Sequence, residues 1–272
     1  MSLPQRPRAV VTGAGGGLGR ALCLELARRR GRVLAADIDL DAAEITAAAV
    51  RDAGGEAVAV ACDVSQQAQV EALPEQAEAA YGGADLIINN AGVAAAGPMA
   101  EIPVADWEWI MGINLWGVIH GCRAFIPRFR AQGHGAILNV ASAAGLINAP
   151  EMAPYNVTKA GVVALSETLC SELQAQKIGV TVLCPTFFQT NIGQATRTAN
   201  PSQRQVVQKL MARAKVQAPE VARAALAAVD ARQLYCLPHA DGAWLWRLKR
   251  MAPERFHQVL VPRHIRKVID RK

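Results

Sequence analysis

A chain of 272 residues, with apolar types making up 51% and charged types only 19%, is long enough for one large α/β domain around a buried parallel sheet. The net charge of +6 is uneven: residues 1–243 hold 20 basic and 21 acidic side chains, residues 244–272 hold nine and two, so the basic excess belongs to the tail and the body is not that of a nucleic-acid binder. Six scattered cysteines form no CxxC pair, the N-terminus has no apolar signal region, and no apolar run is long enough to span a bilayer; this pattern fits a reducing, cytoplasmic setting and predicts no metal site.

Strand and helix signals alternate from the start. Residues 9–11 form a short apolar strand that runs into a glycine-rich turn at 12–19, and residues 18–30 read as a helix. A second strand at 33–36 is closed by Asp37; residues 41–52 are helical and Gly54 with Gly55 stops them. The third strand is 58–62, after which Asp63, Val64 and Ser65 open another helix. Strands four to six are 86–88, 136–140 and 180–184. Such alternation predicts right-handed βαβ units and a doubly wound parallel α/β sheet of the Rossmann type, as a single domain over residues 1–243. Within it the pattern loosens at 186–216, where a substrate loop and a helix from Ser202 are expected to cover the site. Residues 244–272 are a basic amphipathic extension.

In such sheets ligands bind beyond the carboxyl ends of the strands, and each polar cluster here follows a strand: the glycine turn, Asp37, Asp63, Asn89 with Asn90, and Ser142. Glycines at 13, 17 and 19 allow a tight turn, close approach to a pyrophosphate and a helix N-terminus aimed at the anion; a flexible loop is the plainer alternative. Asp37 stands where a carboxylate accepts hydrogen bonds from an adenosine ribose and repels a 2′-phosphate. With Ile38 after it and Gly16 where a basic residue would hold that phosphate, the sequence favours NAD(H) over NADP(H), with Arg20 the one cation nearby; helix capping by Asp37 or Asp39 is the alternative. Tyr155 and Lys159, four residues apart, share a helix face, and a phenol beside an ammonium makes a proton donor for hydride transfer between a nicotinamide and an alcohol or ketone.

These motifs, with Asn114 between Ile113 and Leu115 and Ser142 after Asn139, Val140 and Ala141, give the chain a close resemblance to the short-chain dehydrogenase/reductase family over residues 7–240. The resemblance implies a role for each position. Tyr155 would be the general acid/base, its phenolate favoured by Lys159 and by the nicotinamide; Lys159 would also hold the nicotinamide ribose. Ser142 would bond the substrate oxygen, and Asn114 would anchor a water relaying protons to Lys159. Gly13, Gly17, Leu18, Gly19 and Asp37 would hold the dinucleotide, Asp63 and Val64 the adenine side, and Asn90 the sheet beside it, while Pro185 and Thr190 would meet the nicotinamide. The family usually has glycine after that proline; Thr186 stands here and would narrow the site. Read one at a time, each has a bland alternative: a surface Tyr/Lys pair, Ser142 as a helix cap, Asn114 bonded to backbone.

The walls expected for the substrate, residues 93–96, 143–152 and Phe187 with Phe188, are apolar apart from Asn148 and Glu151, which suits a small hydrophobic alcohol or ketone. An epimerase or dehydratase on the same scaffold, or a cofactor-binding regulator without catalysis, are the competing functions. Family resemblance also implies a homo-oligomer, tetramer or dimer. In the tail, Trp244, Leu245, Leu248 and Met251 recur at helical spacing among Arg247, Lys249 and Arg250, which suits either an interfacial membrane helix or a stripe packed on the body or a partner subunit.

Overall fold

The computed structural model describes residues 2–189, 196–198, 214 and 216–262. Its strands are β1 (Arg8–Thr12), β2 (Arg32–Asp37), β3 (Glu56–Ala61), β4 (Leu86–Asn89), β5 (Gly135–Val140), β6 (Ile178–Leu183) and β7 (Tyr235–Cys236). They form one sheet in the order β3-β2-β1-β4-β5-β6-β7, parallel throughout. The strand order reverses between β1 and β4, and the glycine turn leaves β1 at that switch point.

The helices are α1 (Gly17–Ala27), α2 (Leu40–Asp52), α3 (Gln67–Glu71), α4 (Leu73–Tyr81), α5 (Val104–Met111), α6 (Gly117–Gln132), α7 (Ala144–Ile147), α8 (Ala153–Leu173), α9 (Ala218–Asp230) and α10 (Ala240–Met251). Successive strand side chains point to opposite faces, so a strand covered on both sides is apolar without interruption. Val11, Ile88 and Leu138 pack with Leu22, Leu26 and Leu226 from α1 and α9. Val10, Ile87 and Ile137 pack on the other face with Phe125, Phe129 and Val162 from α6 and α8. The doubly wound α/β sheet expected from the alternation is therefore the fold observed.

Several local readings differ: the helix expected to open at 63–65 begins at Gln67, and the third and sixth strands are Glu56–Ala61 and Ile178–Leu183, each shifted by one or two residues. The first helix ends at Ala27 rather than Arg30, because Gly31 N–H turns back to Leu26 O and Arg30 adopts φ 50°. The seventh strand was absent from the sequence reading; two residues, held by pairing with β6, show no alternation to read. All six cysteines are free, and all but Cys170 are buried as small apolar groups. No helix among the described residues is long and apolar enough to cross a membrane.

Candidate active site

The glycine turn is shaped by what side chains would strike. Gly13 and Gly17 adopt φ of 63° and 53°, the left-handed region that favours glycine. At Gly19 a Cβ would lie 2.0 Å from Gly13 O and 2.7 Å from Asn90 Nδ2, so α1 packs against the turn only with glycine there. Asn90 fastens this turn to the end of β4: its side-chain amide donates to Thr12 O and Gly13 O at 2.9 and 3.0 Å, and its backbone N–H donates to Thr12 Oγ1 at 3.0 Å. Thr12, unassigned in the sequence reading beyond its place at the head of the turn, is thus a junction of β1 and β4.

Asp37 is the last residue of β2, and its carboxylate accepts the N–H of Gly15 at 2.7 Å and of Asp39 at 3.0 Å. Gly15 was not among the three glycines singled out. A Cβ on it would sit 2.7 Å from Ala42 Cβ and 3.0 Å from Asp37 Oδ2, so its bareness is what lets the turn touch the carboxylate. Asp39, rather than Asp37, caps α2 by accepting from Ala42 N–H.

A dinucleotide fits this cradle. The N-terminus of α1 has no side-chain cap and no acidic residue in its first turn, leaving its amides for an anion. Leu18 packs beneath it in the core. Asp63 uses Oδ1 to accept from the backbone and hydroxyl of Ser65, and Val64 is buried against the start of α6, where a Cβ on Gly117 would meet it at 2.9 Å. Thr190 and the helix expected from Ser202 lie outside the described residues.

The second half of the site lies at the carboxyl end of β5 and on α8. Lys159 is buried, and its ammonium donates to Val140 O at 2.8 Å. Its Nζ lies 5.8 Å from the centre of the Tyr155 ring. Burial holds the Lys159 amine down from 10.5 to about 8. The Tyr155 phenol is raised above its ordinary value, because burial outweighs the hydrogen bond from Ser142 that favours the phenolate. The expected stabilisation of the phenolate by Lys159 is not what dominates in the protein alone: desolvation of the phenol comes first.

Ser142 Oγ accepts from Ala144 N–H at 3.1 Å, the local capping bond weighed as its alternative role. That bond occupies a lone pair and leaves the hydroxyl proton to be donated; Pro185 O is distant at 3.5 Å, and the Tyr155 phenol oxygen is the other acceptor in reach. Pro185 O is also bonded by Ala143 N–H, so the proline closes the wall behind Ser142. Gly145 brings α7 against α8: a Cβ there would lie 2.6 Å from Lys159 O.

Asn114 is buried in a five-residue π turn, Gly112–Trp116, between α5 and α6. Its side chain bonds both backbone groups of Val93, N–H at 2.8 Å and C=O at 2.9 Å, and reaches Thr158 Oγ1 at 3.3 Å. It is thus a clamp on the strap that follows β4. A Cβ on Gly92 in that strap would lie 3.4 Å from Asn114 Oδ1 and 3.5 Å from Lys159 Nζ, so Asn114 and Lys159 face one small space. The far end of the strap is pinned by Arg197. Its backbone pairs with Ala94 and Ala96, its guanidinium donates to Asp106 at 2.9 Å, and it stacks 3.7 Å above Trp109. No motif marks Arg197, because its partners are set by folding.

One expected wall residue lies elsewhere, and the start of the tail is placed by the fold. Phe188 is buried in the core and stacks on His239, leaving Phe187 alone exposed at the site. The stripe in the tail does not pack inward as a unit. Helix α10 crosses the boundary drawn at 243 and turns Gly242, Trp246 and Lys249 toward the body, while Trp244 and Met251 face solvent. Thr186, in place of the family's glycine, fills the space opposite Gly242, where a Cβ would meet its methyl at 2.5 Å. The side chain therefore serves the contact between the sheet end and α10.

A family model described as short chain dehydrogenase matches residues 7–201. A protein of Lactiplantibacillus plantarum named CLA biosynthesis dehydrogenase/reductase is 38% identical over 185 residues, 67% of this chain; the match spans 65% of that protein, under two thirds of its length. The 3beta-hydroxysteroid dehydrogenase 1 of Eggerthella lenta is 36% identical over 220 residues, covering 80% of this chain and 84% of that one. Among solved structures, a short chain dehydrogenase/reductase from Burkholderia phymatum in complex with NAD superposes with a TM-score of 0.87 at 36% identity, covering 92% of this chain and 94% of that one.

Proposed function

The chain belongs to the short-chain dehydrogenase/reductase family of oxidoreductases, and from that premise we propose that it interconverts a hydrophobic secondary alcohol and its ketone, using NAD(H). The observation that carries this reading is the convergence of the Tyr155 phenol, the Ser142 hydroxyl and the Lys159 ammonium at the carboxyl end of β5, on the sheet edge shared with the glycine cradle. When bound, the nicotinamide supplies or accepts the hydride. The protein handles the proton. In the oxidising direction Tyr155 takes the proton of the substrate hydroxyl, and in the reducing direction it returns one to the carbonyl oxygen. Ser142, its lone pair engaged by Ala144 N–H, donates to the same oxygen and steadies charge developing there. Lys159, fixed by Val140 O, keeps a positive charge beside the phenol. The apolar side chains of Ile147 and Phe187, expected on the substrate side, support a hydrophobic substrate, as does the name of the Eggerthella lenta relative.

The test is a screen of hydrophobic secondary alcohols with NAD+, read as net NADH formation. Turnover with no net change in cofactor would turn the assignment to an epimerase or dehydratase. Cofactor binding without any turnover would turn it to a regulator.

Preference for NAD(H) rests on Asp37. A 2′-phosphate beside this carboxylate would face repulsion, and the neighbouring Ile38 offers no cation. Titration of both cofactors is expected to show tighter NADH binding. Asp37→Ala should narrow the gap chiefly by weakening NADH, since it also frees the Gly15 N–H that shapes the turn. Equal or tighter binding of NADPH to the unaltered protein would refute the preference and point to Arg20.

A further inference from the structure

Helix α10 has two working faces. Its inner face is locked to the body at three points: Gly242 against Thr186, Trp246 against Tyr235 with ring centres 4.7 Å apart, and Lys249 donating to Leu146 O at 2.7 Å. With the Asn148 amide oriented to satisfy both neighbours, its oxygen accepts from Lys249 at 3.1 Å as well. Phe256, just beyond the helix, is buried and anchors the chain again. The helix is therefore held in place, and what it shows to solvent is fixed.

A helix docked on a core ordinarily turns polar residues outward. Here Trp244 is 60% exposed and Met251 is 81% exposed. Seven residues apart, they lie two turns from each other on one side, with exposed Arg247 between them. Val259 and Leu260 are also exposed farther on. Arg250, stacked 5.2 Å from Trp246, and Arg255 add charge to this end of the molecule; Asp241 and Glu254 are its acidic residues among those described. The rest of the chain is nearly neutral, while residues 244–272 hold nine basic and two acidic side chains. A large aromatic and a flexible apolar side chain among arginines, on a surface whose charge is otherwise balanced, complement a layer with anionic headgroups and an apolar interior.

We propose that the outer face of α10, with Trp244, Met251, Arg247 and Arg250 and with Arg255 just beyond it, binds an anionic lipid surface peripherally. Because the inner face holds Leu146 and Asn148, which lie between Ser142 and Tyr155, the docked helix joins the lipid contact to the substrate wall.

The experiment is co-sedimentation of the full chain with vesicles of mixed phosphatidylglycerol and phosphatidylcholine, and with phosphatidylcholine alone, at low and high salt. The protein is expected to bind the mixed vesicles at low salt and to be released as salt screens the attraction. Replacing Arg247, Arg250 and Arg255 by Gln should weaken binding about 100-fold, at roughly fivefold per cation. Trp244→Ser with Met251→Ser should weaken it as well, while NADH affinity stays unchanged as a check that the fold is kept. No sedimentation with mixed vesicles at low salt overturns the proposal, as does wild-type binding by both variants. A double Ser variant that binds vesicles normally but changes the size of the assembly also overturns it, since these side chains would then serve contact with a second copy.

Discussion

Tyr155→Phe is expected to lower turnover by about 10²–10⁴-fold or more, the usual worth of a positioned general acid/base. The substitution keeps the ring and removes only the hydroxyl, so the packing of α8 should survive. The phenol is not part of the glycine cradle or of the Asp37 contact, so NADH affinity should remain close to that of the unaltered protein. Single-turnover kinetics beside a fluorescence titration with NADH separates the two. The pH dependence supplies a second readout. Burial raises the Tyr155 phenol, so the proton acceptor needed for oxidation grows as pH rises, and the proton donor needed for reduction falls. Alcohol oxidation should therefore climb toward alkaline pH while ketone reduction declines. A phenylalanine variant within about tenfold of the normal rate would remove Tyr155 from the chemistry.

Lys159→Met should abolish most turnover and weaken cofactor binding together, yet leave the cofactor-free protein at least as stable at neutral pH. The sign follows from burial. The amine drops from 10.5 to about 8 on folding, so between those values the unfolded chain holds more protons and folding becomes more favourable as pH rises. Below about 8 the amine is charged in both states and the full cost of burying it remains, on the order of a few kcal/mol before the bond to Val140 O offsets part of it. Methionine fills similar space without charge. Its advantage should be largest at neutral pH and shrink toward about pH 10, as the native lysine becomes neutral in both states. Thermal unfolding of the two proteins across that range checks this. A methionine variant clearly less stable at neutral pH would show that the Val140 bond outweighs the desolvation.

Much of this molecule is legible in its amino-acid order. The alternation of apolar strands and helices fixes a parallel sheet, because strands buried on both faces must be apolar throughout and their crossovers have one hand. The spacing of Tyr155 and Lys159 places both on one side of α8, because a helix repeats every 3.6 residues. Those regularities are local, and local order can be read along the chain. What lies outside them is made by contacts between distant segments. Gly15 matters because Asp37 and Ala42 come to meet it, and Asn114 spends its amide on Val93, twenty-one residues away. Thr186 looks like a departure from pattern until Gly242 is found opposite, and Arg197 looks like a loop residue until Asp106 and Trp109 close on it. The tail shows most plainly where the division falls. The periodicity of residues 244–251 determines that they are helical and amphipathic, but which side turns inward depends on what the helix meets. Packing chose Gly242, Trp246 and Lys249, because a bare Cα, a ring over Tyr235 and a long ammonium reaching Leu146 O fit the body, and left Trp244 and Met251 to the solvent.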